Sequence, residues 1–120
     1  MRHFPRHPLH TLAMAILIIS FSAMAQAQES MQRWQKFDFA KSALKPADVA
    51  NVPLEDLKLM RGIVFGRHGR VFKDAEIATY LTAQDWYKPN HEFQNTMLNG
   101  TERRNLDIIR DGEAGKHVTV

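Results

Sequence analysis

The string Arg67-His68-Gly69 is where reactive side chains first come together in this sequence. An Arg-His-Gly string also opens the histidine phosphatases, in which the imidazole is the nucleophile and arginines hold the phosphate. That chemistry needs the string to follow a buried strand, with a second histidine and further arginines around the phosphate. Here the string ends a helical pattern, so a histidine phosphatase-like enzyme is the distant alternative. The expected role of His68 is to help close a helix and to hydrogen-bond inside the core. His91-Glu92 begins like a zinc-protease motif, but residue 95 is Asn where the second histidine belongs. His68, His91 and His117 are far apart and the chain has no cysteine, so no metal site is expected. No catalytic residue and no cofactor are expected either. Trp86 and Tyr87 are adjacent flat aromatics near a loop; they are the candidates for stacking on a sugar ring or a partner, with covering the small core the favoured role because buried aromatics dominate small domains.

The elements that must carry these residues read as helices. The spacing predicts a first helix over residues 53–68, with Pro53 in its first turn and Gly69 as a left-handed stop. Leu54, Leu57, Met60, Val64 and Phe65 form its apolar stripe, and Arg61 and His68 project from the same stripe. Gly62 and Gly66, four apart, offer bare backbone to a second element. A short helix follows, capped by Asp74, with Ile77, Tyr80 and Leu81 on one face. A last helix is expected from Glu102 to about Asp111 after an Asn99-Gly100 turn, capped by Thr101. There Glu102 and Asn105 share the inner face with Leu106 and Ile109. Buried charges left unpaired cost several kcal/mol, so Arg61, Arg67, His68, Glu102 and Asn105 are expected to converge in a partly buried polar cluster. Arg61 or Arg67 is the expected partner of Glu102. The fold class is therefore all-α: a small single domain of three main helices.

Composition bounds the rest. The chain has 120 residues, 44% apolar and 24% charged, which allows one globular domain and excludes a large multi-layer enzyme. Residues 1–27 have the build of a signal peptide: Arg2 and Arg6, an apolar run from Leu12 to Phe21, then small residues that allow cleavage before Gln26 or Gln28. The apolar run is about half of what spans a membrane, so stable insertion after cleavage is not expected. The formal charge of +3 includes Arg2 and Arg6, and without them it is +1. With no run of Lys or Arg there is no electrostatic case for nucleic acid. With no cysteine, neither a disulfide nor a lipid anchor is available. A periplasmic or secreted location is expected. Residues 28–51, with Trp34, Phe37 and Phe39 scattered among polar residues and Pro46 breaking any helix, read as a poorly structured arm. Residues 52–113 read as the helical domain and 114–120 as a tail.

One resemblance joins these pieces. The stretch Leu57-Lys-Leu-Met-Arg61-Gly-Ile-Val-Phe65-Gly-Arg67-His68-Gly69-Arg-Val-Phe72 resembles the signature of the YARHG domain, a small bacterial extracytoplasmic module named for its Tyr-Ala-Arg-His-Gly string. Trp86-Tyr87-x-Pro89, Leu98-Asn99, Glu102, Asn105 and Ile109 resemble its later landmarks in order and spacing. Phe65-Gly66 stands for Tyr-Ala, and Gly62-Ile63 stands where Asn-Glu is common, so a phenol and a carboxylate are missing. The resemblance implies an exported, non-catalytic envelope protein, with cell-wall polymer as the leading ligand and an envelope protein, bound in the manner of an inhibitor or immunity partner, as the rival. It brings no catalytic residues with it.

Overall fold

A computed structural model describes residues 31–118 of the chain, with side chains to Lys116. The expected signal peptide with its two cleavage points, and the side chain of His117, lie outside the described residues. The chain divides into two compact units, Met1–Trp34 and Gln35–Val120. In the described part of the first, residues 31–34 are helical and the Arg33 guanidinium lies 4.5 Å from the centre of the Trp34 ring.

The described residues form helices and turns, with no strand among them. Residues 31–36 make α1, Pro46–Val49 the single turn α2, Leu54–Gly66 α3, Ala75–Thr82 α4 and Gly100–Val118 α5, with a 3-10 turn at Asn95–Met97. The all-α reading with three main helices, α3, α4 and α5, stands.

The central element is α3, which packs on both α4 and α5. That explains why a single stripe understates its burial: Leu57 and Met60 are buried, and so is every residue from Gly62 to Gly66. The two glycines do the work expected of them. A methyl at Gly62 would lie 2.8 Å from Ile77 Cγ2, and one at Gly66 would lie 2.7 Å from Leu81 Cδ2. Thus α4 sits directly on the α3 backbone. Asp74 caps α4, its carboxylate accepting from the Glu76 and Ile77 amides. Lys58 of α3 ties down this end, 2.8 Å from Asp74 and 2.9 Å from Glu76.

Two segments differ from the sequence reading. Residues 35–51, expected as an arm, are packed: Phe39, Leu44 and Val49 are buried. The apolar side chains there are spaced five apart around turns, which follows no helical or strand period; α2 supplies only the last of them. The last helix continues through 114–118, expected as tail, and its cap is Asn99 rather than Thr101. Asn99 Oδ1 accepts from the Glu102 amide at 2.8 Å while Glu102 Oε1 accepts from the Asn99 amide at 2.9 Å, a reciprocal capping box.

Candidate functional site

The Arg-His-Gly string sits where α3 stops. Arg67 is still right-handed, and Gly69 at φ 86° turns the chain out of the helix, with its amide donating to Gly66 O. The turn is crowded from outside. A methyl on Gly69 would lie 2.6 Å from Lys88 O and 2.7 Å from Asn90 Cβ, and the Asn90 amide donates to Gly69 O at 2.7 Å. Gly69 therefore serves both to reverse the helix and to let the 88–90 loop close over it.

His68 and Glu102 come together as one pair. The Nε2–H of His68 donates to Glu102 Oε2 at 2.7 Å. Glu102 is 4% exposed at its side chain and His68 28%. The second carboxylate oxygen is the one that caps α5, so Glu102 spends both oxygens on structure: one starts a helix, the other fastens it to the end of α3. The Phe93 ring lies 6.5 Å from the imidazole.

The other members of the expected cluster go elsewhere. Arg61 does not reach Glu102; it makes a two-pronged pair with Glu113, at 2.9 Å from Nε and 3.3 Å from Nη2. Glu113 follows Ile109 by four residues on the α5 inner face, and an expected helix end at Asp111 hid it. Arg67 is exposed, donates to the Gln35 carbonyl and stacks 5.3 Å from the Trp86 ring centre. Asn105 is fully buried, and it binds backbone: its amide donates to Phe39 O and Ser42 O, both at 2.9 Å, and its oxygen accepts from the Leu44 amide at 2.8 Å. Apart from Arg67, which goes to Gln35 and Trp86, the expected cluster is in fact three separate ties. They fasten α5 to α3 twice, and α5 to the 39–44 segment once.

Trp86 and Tyr87 are both half-buried, their rings 6.4 Å apart and nearly perpendicular. Tyr87 turns inward, donating its hydroxyl to Arg70 O at 2.9 Å, and burial holds its phenol above the ordinary range. Tyr80 is raised as well, again by burial first, with the Gln35 hydrogen bond opposing.

Arg70 is a feature the sequence reading passed over. Its guanidinium stacks 4.3 Å from Phe65 and 4.8 Å from Phe72. Burial, then the charges of Arg61 and Arg110, weaken its hold on its proton. Its position directly after Gly69 was the available signal.

Among the described residues no three His, Asp or Glu side chains are grouped to hold a metal, and no helix is long and apolar enough to cross a membrane. No curated protein and no solved structure matches the chain. The sequence model of the YARHG domain matches residues 34–114, which takes in the packed 35–51 segment, α3, α4 and all but the last turn of α5.

Proposed function

The chain belongs to the YARHG domain family, and from that premise we propose that it is an exported, non-catalytic binding module of the cell envelope whose ligand is cell-wall polymer, peptidoglycan. The observation that supports the non-catalytic part is what the signature residues do: His68 Nε2 and Glu102 hold one another, Glu102 also caps α5, and Gly69 and Asn105 hold backbone. A phosphate-accepting histidine would need arginines gathered around its site, whereas Arg61 is held by Glu113 and Arg67 by the Gln35 carbonyl. Residues 1–27 support export. Support for the polymer comes from Trp86, whose ring is partly exposed and flanked by the exposed Arg67, an arrangement suited to stacking on a sugar ring and hydrogen-bonding its substituents.

The purified chain is expected to co-sediment with insoluble peptidoglycan, and Trp86→Ala to weaken that binding while the thermal transition persists. Wild-type protein left in the supernatant at low salt would reject the reading. A protein partner is the second reading, favoured by an apolar groove of about 470 Å³ between α2 and α5, lined by Pro46, Val49 and Ile108. Capture of a stoichiometric protein from periplasmic extract, with no retention on polymer, would replace the first reading by the second.

A further inference from the structure

The α5 face opposite the 39–44 segment carries an open pocket of about 450 Å³. Its floor is apolar, made by the buried side chains of Phe65, Leu98 and Leu106. Three guanidiniums surround that floor. Arg103 and Arg110 flank Leu106 and Asp107 at i, i+3, i+4 and i+7 on one helical face, and Arg70 reaches in from the chain after Gly69. Arg110 lies 5.9 Å from the Phe65 ring centre on which Arg70 also stacks. Among the described residues no carboxylate lies within ion-pair distance of Arg70, Arg103 or Arg110; the four pairs present use Lys58, Arg61 and His68. The contrast with Arg61 is direct: that guanidinium is neutralised by a two-pronged carboxylate, while these three line one pocket with a single acid, Asp107, and Arg103 meets only the Asn95 carbonyl, at 3.4 Å.

We propose that this pocket binds a carboxylate carried on a short apolar stem, such as the free C-terminus of a small peptide, with the guanidiniums of Arg70, Arg103 and Arg110 holding the carboxylate and the Phe65-Leu98-Leu106 floor taking the apolar group. Planar guanidinium forks match carboxylate and phosphate geometry alike. Two features select the carboxylate. Asp107 on the same rim repels a dianion more than a monoanion. The aromatic and leucine floor, open only over a small patch, offers nothing to a bare inorganic anion and contact to a group the size of a methyl. Half-buried Arg70, with the Arg110 guanidinium over the same Phe65 ring and no carboxylate of its own, gains from a bound counter-charge. This inference stands apart from polymer binding, because its ligand is a soluble small molecule and its residues are not Trp86 or Arg67.

The test uses the full chain and three probes: N-acetyl-alanyl-alanine, the same dipeptide amidated at its C-terminus, and inorganic phosphate, titrated by NMR chemical shift or calorimetry. The free acid should bind, with the amide at least about tenfold weaker, since one or more charge-assisted hydrogen bonds are lost. Arg103→Gln with Arg110→Gln, both at exposed positions that leave the core untouched, should cost about tenfold or more with an unchanged melting temperature. Equal binding of acid and amide, phosphate binding as tight as the dipeptide, or no loss in the double variant would each overturn the proposal.

Discussion

A carboxamide can donate two hydrogen bonds and accept others from one short stem, and Asn105 uses both capacities on a single stretch of backbone. No other side chain of that length can do the same. Asn105→Asp keeps the shape and removes both donors, setting a negative oxygen against the Phe39 and Ser42 carbonyls; Asn105→Ala removes all three bonds. Both variants should lose roughly 3 to 5 kcal/mol in urea unfolding, and near-wild-type stability for the aspartate would mean that Asn105 does not bind the backbone in this way. The sequence disclosed that Glu102 and Asn105 are polar groups on an apolar face and so must be satisfied. It could not disclose by what. The partners of Asn105 are carbonyls and an amide, which every residue possesses, and the partner of Glu102 turned out to be His68, because the arginines are long enough to reach other groups.

At the scale of elements, bare backbone at Gly62 and Gly66 trades helix propensity for contact with α4. Alanine would restore about 1 kcal/mol of propensity at each position. The added methyls meet Ile77 and Leu81, which are 1% and 0% exposed and have no room to withdraw. Overpacking of this kind costs about 1 to 3 kcal/mol and should win. Gly66→Ala is thus expected to destabilise, and its double-mutant cycle with Leu81→Ala to show a favourable coupling of about 1 kcal/mol, since truncating the leucine vacates the space. Additive effects would mean the helices do not meet there. This pairing was legible, because two glycines four apart in a helix need a reason, and so were the cap at Asp74 and the three main helices. The order of residues 35–51 was not: its buried Phe39, Leu44 and Val49 follow turns, and turns have no period to read.

For the whole molecule, the only two tyrosines are both raised by burial. A phenol whose folded-state value lies above its unfolded one, near 10, contributes stability that is complete below that unfolded value and disappears as pH rises through the folded one. Tyrosinate absorbance of the native protein should therefore emerge above the range of free tyrosine, and stability should decline from about pH 10 upward. Lys58, raised by its bonds to Asp74 and Glu76, loses its charge in the same direction. Replacing both tyrosines by phenylalanine should flatten the decline, and an unchanged profile would assign it all to other groups. The tie from Asn105 to Leu44, spanning 61 positions of chain, has a consequence in time. A ribosome releases the 39–44 strap long before it releases the helix that fastens it. The 39–44 strap thus stays unfastened until α5 has emerged, and the two close in one step.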